Sequence, residues 1–211
     1  APDATGQPCF LCLDGLATLA EVWLNGNHVL TTDNMFRAYR VDIAPHMKAR
    51  NELAIVFRSL KEDLAKKRPR PRWKTNLVNH QQLRWRRTSL QGRVPGWSPP
   101  VAPVGPWREV RIETGDVVVT DVKVTTTLEG TTGKVILRAC TWSMAPLELA
   151  TMRVGDIGGN ATIRALGDHW DITAELSMPN APLWWPHTHG DQPRFDVVLN
   201  VVSAGETHAI A

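Results

Sequence analysis

The sequence predicts an all-β fold, and three observations carry that expectation. Apolar residues recur with a period of two over most of the chain, the spacing of a strand with one buried face. Turn dipeptides punctuate these runs, above all Asn25-Gly26, which between two apolar stretches is a strong two-residue hairpin signal. Helical composition is confined to residues 60–67 (LKEDLAKK), where Pro69 and Pro71 stop it.

Taken in chain order, QPCFLCLDG reads as the first strand. Its Cys9 and Cys12 form a C-x-x-C, but on a strand this is a pair of core cysteines rather than a redox turn, and no further Cys or His pair completes a zinc tetrahedron. Short strands follow at Ala20–Leu24, 39–43, Leu53–Phe57 and 107–112, with Trp23 facing away from Val22 and Leu24 as simple packing. From about residue 116 the alternation becomes regular. Val118, Val122, Val124 and Leu128 alternate with Asp121, Lys123, Thr125 and Thr127, and a strand spans 135–141. At His169–Met178 the apolar set Trp170, Ile172, Ala174, Leu176 and Met178 opposes Asp171, Thr173, Glu175 and Ser177; Phe195, Val197, Leu199 and Val201 complete the series. Gly158-Gly159 and Gly167-Asp168 read as turns. A boundary is expected near Gly115, and the 96 residues after it approach the ~100 of an immunoglobulin-like sandwich.

With 43% hydrophobic residues and nine Trp in 211, the chain has enough apolar surface to fold rather than stay disordered. No uncharged apolar run approaches the ~20 residues of a membrane helix, and the first residues carry no leader pattern, so no membrane partner is expected. The free cysteines fit a reducing compartment, which favours the cytoplasm and leaves the localisation open.

The net charge of +3 hides an asymmetry. Residues 64–108 hold eleven Lys or Arg and no acid, which leaves the rest of the chain at −8. Lys66, Lys67, Arg68, Arg70, Arg72 and Lys74 with Trp73, then Arg84, Arg86 and Arg87 with Trp85, mix base and aromatic as single-strand binders do. No nucleic-acid fold motif accompanies them, so nucleic acid is not an expected partner.

Four segments carry more information: DGLATLAEVWLNGNHV at 14–29; Asn34-Met35-Phe36 with Tyr39, Val41-Asp42-Ile43 and Asn51-Glu52-Leu53; Gly96-Trp97 leading to Gly105-Pro106-Trp107-Arg108-Glu109-Val110; and Pro182-Leu183-Trp184-Trp185-Pro186 with Gly190-Asp191-Gln192-Pro193. In this order they resemble the non-catalytic N-terminal half of glycoside hydrolase family 2, nearest its β-mannosidase-like members. The resemblance implies a galactose-binding-like jelly-roll domain over 1–115, N-terminally incomplete, and an immunoglobulin-like β-sandwich over 116–211. It places a catalytic barrel with two carboxylates beyond Ala211, so that the full-length protein hydrolyses terminal β-linked sugars, mannoside-like, with retention. These 211 residues would then wall the sugar pocket and brace the barrel. The open edges of a partial jelly roll are expected to favour self-association.

The resemblance also assigns substrate-binding residues, Trp97 and Ser98. Trp97 has two readings, stacking on a sugar ring or anchoring the loop from beneath. In mannosidase-like members the Gly-Trp is followed by a sugar-binding Asp, whereas here Ser98 keeps one donor and two acceptor sites but loses the charge-assisted bond. Trp184 and Trp185 are expected to seal the second domain's core and its barrel interface. No catalytic residue, metal site or cofactor is expected: His187-x-His189 lacks a third ligand, and Glu21, Glu52, Asp63, Glu109 and Asp171 read as wet-face or strand-end acids with no paired constellation. Two rival readings are a free-standing carbohydrate-binding module, which would bind glycan without a barrel, and a purely structural or interaction domain.

Overall fold

Most of the period-two alternation becomes strand. The computed structural model describes residues 7–69, 72–167 and 169–210, and the chain divides into two units, Ala1–Thr114 and Gly115–Ala211. Gly167 carries a positive φ, as a turn requires, but its neighbour Asp168 lies outside the described residues.

The first unit contains β1 (Cys9–Leu13), β2 (Leu16–Ala17), β3 (Ala20–Leu24), β4 (Asn27–Thr32), β5 (Tyr39–Asp42), β6 (Leu53–Phe57), α1 (Leu60–Ala65), β7 (Gly105–Pro106) and β8 (Val110–Thr114). Two three-stranded antiparallel sheets, β5-β1-β8 and β4-β3-β6, face each other, with a short β2-β7 ribbon beside them. Their inward residues make one core: Cys9, Leu11 and Leu13 from β1 meet Ala20, Val22 and Leu24 from β3, closed by Leu16 and Ile43. Every fully buried Leu or Val side chain of this kind contributes about 1.5–3 kcal/mol, which makes β1 and β3 the mechanical centre of the unit.

Local chemistry sets the turns. Asn25 and Gly26 have φ of +52° and +82°, the two positive values of a hairpin turn that Asn-Gly accommodates. The Asn25 side chain is fully used: its Nδ2 donates to His46 O and Asn51 Oδ1, and its Oδ1 accepts from the Glu52 amide. The helix α1 starts at Ser59, whose Oγ accepts from the Glu62 amide at 3.2 Å, and ends at Ala65, two residues earlier than its composition suggests.

Both cysteines of β1 are buried on opposite faces, Cys9 in the core and Cys12 level with Arg40 and Arg111 of the neighbouring strands. Burial pushes both thiols up, so neither is an activated thiolate. The strand expected at 107–112 is displaced: β7 ends at Pro106 and β8 begins at Val110, with the Trp107 amide and the Glu109 carbonyl bonding Gly15 O and the Asp14 amide between them.

The second unit is an immunoglobulin-like sandwich of β9 (Val117–Glu129), β10 (Thr132–Ser143), β11 (Leu147–Val154), β12 (Ile157–Asn160), β13 (Thr162–Leu166), β14 (His169–Met178), β15 (Val197–Ser203) and β16 (Glu206–Ile210). Sheet β13-β14-β10-β9 lies over sheet β12-β11-β15-β16, and Leu137, Ala139, Ile172 and Ala174 meet Ala150, Met152, Leu199 and Val201 between them. Along β14 the expected alternation holds: Ile172 and Ala174 are buried while Asp171, Thr173, Glu175 and Ser177 are exposed.

Three local expectations are corrected. Gly158 and Gly159 are not a turn but lie inside β12; the turn is Gly155-Asp156, with Gly155 at φ +55°. Gly159 is there for close packing, since a Cβ would lie 2.8 Å from Leu176 Cδ2 of the facing sheet. On β9 a bulge opposite Cys140/Thr141 and the edge position leave Val122, Val124 and Leu128 exposed rather than half-buried. Phe195 precedes β15 and is exposed, its ring edge close to Gly155.

Candidate functional site: the acid-free loops of the first unit

Three of the sequence segments converge on one indole. The Trp107 main-chain amide donates to Gly15 O at 3.1 Å, and its Nε1 donates to Met35 O at 2.6 Å. Its ring fills the space above Gly15, where an added Cβ would lie 2.4 Å from Nε1, and Phe36 meets it edge-on at 5.9 Å. Gly15, Met35-Phe36 and Trp107 are therefore parts of one packing unit, and their wide sequence spacing is a product of the fold.

The basic segment is anchored by an acid immediately before it. Asp63 is nearly buried, contrary to the wet-face expectation, because Arg86 and Arg68 enclose it. Arg86 Nε donates to Oδ2 at 2.7 Å and Arg68 Nη2 to Oδ1 at 2.8 Å, while Arg68 Nη1 reaches the Asp63 carbonyl. These donors, Arg86 foremost, hold the Asp63 carboxyl well below the usual carboxylate range. Asp33 adds a second, longer contact to Arg86 at 3.6 Å. Trp85 Nε1 donates to Pro69 O, and the Arg84 guanidinium lies 4.7 Å from the Trp73 ring. Much of the Arg/Trp mixture is thus internal bracing.

From this platform the chain returns through residues 89–104 as an irregular loop. Gly92 has φ +73°, and a Cβ there would strike the Val101 carbonyl carbon and oxygen at 2.3 Å, so the loop closes on bare backbone. The Gly92 amide donates to Ser98 Oγ at 2.8 Å, which pins the loop neck. Trp97 stands at the tip, after Gly96 at φ +81°, with 81% of its surface exposed. The anchoring alternative for Trp97 is overturned by that exposure. The two predicted site residues face different tasks: the Trp97 ring is presented outward, and the Ser98 oxygen is turned back on its own loop, with its hydrogen still available to donate.

Behind the loop lies a cavity of about 550 Å³, whose lining includes Gly92, Arg93, Pro100 and Pro103 from the loop and Asn79, His80 and Leu83 from the preceding segment. Arg93 was not singled out by sequence. Its Nε is buried with no hydrogen-bond partner among the described residues, and burial lowers its pKa. The only signal for it in the sequence is its place as the one charged residue between Gly92 and Trp107.

Elsewhere, Trp184 and Trp185 are 57% and 48% exposed and do not seal the core; their loop is held by Trp185 N to Asp191 O and Gln192 Nε2 to Trp185 O. His187 and His189 are exposed, and among the described residues no group of three His, Cys, Asp or Glu is placed to hold a metal. Glu21 pairs with Arg58, Glu109 with Arg111, and Glu52 and Asp171 are exposed. No described helix is long and apolar enough to cross a membrane.

A two-sheet β unit with aromatic-tipped loops, followed by an immunoglobulin-like sandwich, is the architecture of the N-terminal region of family 2 glycoside hydrolases. Residues 1–108 match the family described as glycosyl hydrolase 2 galactose-binding domain-like, and the chain belongs to that family. Among curated relatives, β-mannosidase B of Aspergillus fumigatus is 30% identical over 97% of this chain, and β-mannosidase B of Thermothelomyces thermophilus is 28% identical over 97%. The chain spans about a quarter of the length of each, 25% in both cases. Among solved structures, the β-D-mannosidase of Dictyoglomus thermophilum matches 93% of this chain and 25% of its own with TM-score 0.76 at 20% identity. The Amycolatopsis orientalis exo-chitosanase matches 100% of this chain and 24% of its own with TM-score 0.65 at 18% identity. At those identities the two structures speak for the fold.

Proposed function

We propose that this chain is the N-terminal, non-catalytic part of a β-mannosidase-like glycoside hydrolase, and that its Trp97–Ser98 loop forms one wall of the sugar pocket. The observation that carries this reading is the exposed Trp97 indole on a loop fixed by the Gly92–Ser98 bond and by Gly92's close packing on Val101. An aromatic face on a braced loop suits the C–H surface of a pyranose, and the Ser98 hydroxyl keeps one proton to donate to a sugar oxygen. The unit over 1–115 acts as the galactose-binding-like domain and that over 116–211 as the sandwich that braces a catalytic barrel. The exposed Trp184 and Trp185 suit the bracing surface.

In this reading hydrolysis of terminal β-mannoside-like sugars proceeds with retention on two barrel carboxyl groups about 5–5.5 Å apart, outside these 211 residues. The exposed Leu53 and Val56 on the edge strand β6 favour self-association of the isolated piece. The test compares two proteins on nitrophenyl β-mannoside: the isolated chain, expected to be inert, and the longer polypeptide containing it, expected to release β-mannose first. Turnover by the isolated chain, or none by the longer polypeptide, contradicts the proposal. If the chain alone binds glycans tightly without any barrel, the carbohydrate-binding-module alternative takes its place.

A further inference from the structure

We propose that the cavity behind the Trp97 loop binds a carboxylate-bearing sugar, a uronate, with Arg93 as its anion-binding residue. The cavity has the volume of a small-ligand site, about 550 Å³, with apolar walls such as Leu83, Pro100 and Pro103 and a few convergent polar groups, Asn79, His80 and Arg93. Among the described residues no Asp or Glu lines it. The other two cations on its lining differ from Arg93: Arg58 is already held by both carboxylate oxygens of Glu21, and Lys61 lies on the exposed face of α1.

Arg93 has neither an ion pair nor a side-chain hydrogen bond among the described residues, although its Nε is shut off from solvent. A guanidinium N–H shut off from solvent without an acceptor is costly, and proteins ordinarily pair such groups. Burial lowers the Arg93 pKa. A single guanidinium presents a planar fork that matches a planar carboxylate in a bidentate pair. Asn79 and His80 supply the side-chain hydrogen-bonding groups that hydroxyls need, and the proline and leucine walls suit a pyranose C–H face. The proposal rests on the sugar-wall reading only for the choice of a sugar as the carrier of the carboxylate.

The test is calorimetric titration of the 211-residue protein with glucuronate, its methyl ester, glucose and mannose. Glucuronate is expected to bind at least about tenfold tighter than glucose or the ester, and Arg93→Gln is expected to erase that difference while the melting temperature holds. Ala102→Phe, which fills the cavity and leaves Arg93 in place, is expected to remove glucuronate binding as well. Trp97→Ala separates the two readings: it is expected to leave the glucuronate preference intact, even if it weakens mannose binding. Equal binding of charged and neutral sugars, no glucuronate binding, or a preference that survives Arg93→Gln overturns the proposal without touching the Trp97 reading.

Discussion

The indole Nε1 of Trp107 donates to the main-chain oxygen of Met35 at 2.6 Å, across 72 residues of sequence, while its ring rests on Gly15. This contact locks the strand-turn of the first sheet, the loop after β4 and the return from the acid-free segment into one piece. Beside it the pairing register shifts by one residue, from Leu16 opposite Pro106 to Leu13 opposite Val110.

Gly15→Ala is expected to destabilise the first unit by about 2–3 kcal/mol, because the new methyl must displace the indole. Trp107→Phe keeps most of the ring but strands the Met35 carbonyl, at a cost of about 1–3 kcal/mol. Denaturant melts of the separately followed units check both: the first unit's transition moves and that of the second stays.

Asp63 makes a prediction with a definite sign in pH. Its folded-state pKa is depressed, first by the Arg86 hydrogen bonds and then by Arg68, so its stabilisation is complete above the unfolded value of about 3.9. It is lost as pH falls from there toward the folded value. Asp63→Asn is expected to cost about 3 kcal/mol at pH 7, since two arginines lose their buried partner. The gap between wild type and variant, measured by urea denaturation, narrows below pH 4. A gap independent of pH contradicts the assignment.

Asn25→Ala removes two donated hydrogen bonds and one accepted bond, and leaves a β-carbon at positive φ without the side chain that tolerates it. A loss of about 2 kcal/mol is expected, and hydrogen exchange at the Glu52 amide speeds up accordingly. Restoring Asn25→Asp recovers only the accepted bond and hence a fraction of the protection.

Trp97→Ala is expected to change stability by less than about 0.5 kcal/mol, because the indole buries little of its surface. Ser98→Ala loses the acceptor for the Gly92 amide and costs about 1 kcal/mol, read as faster exchange of that amide. The two variants thereby separate an exposed contact residue from a loop brace.

The fold was legible in the sequence wherever one periodicity ruled, as on β14, where every even-numbered residue from Trp170 to Met178 faces inward and none of the odd ones is buried. The Asn25-Gly26 turn was equally legible, because the dipeptide specifies its own dihedrals. The misses share a physical cause, which is distance in sequence. Asp63 read as wet because its partner Arg86 lies 23 residues away. Gly159 read as a turn because its reason, Leu176, belongs to the opposite sheet. Of the candidate site, Trp97 was visible through a motif, whereas Arg93 was hidden, since the lack of a partner is a property of the folded cavity.

The pocket-wall proposal meets its most direct test in the kcat/KM of the full-length polypeptide for an aryl β-mannoside, measured for wild type and Trp97→Ala. Loss of one aromatic stacking contact of about 1.4 kcal/mol corresponds to a fall of about tenfold. That fall, at an unchanged melting temperature, is the expected result; a kcat/KM equal to wild type contradicts the placement of Trp97 against the sugar.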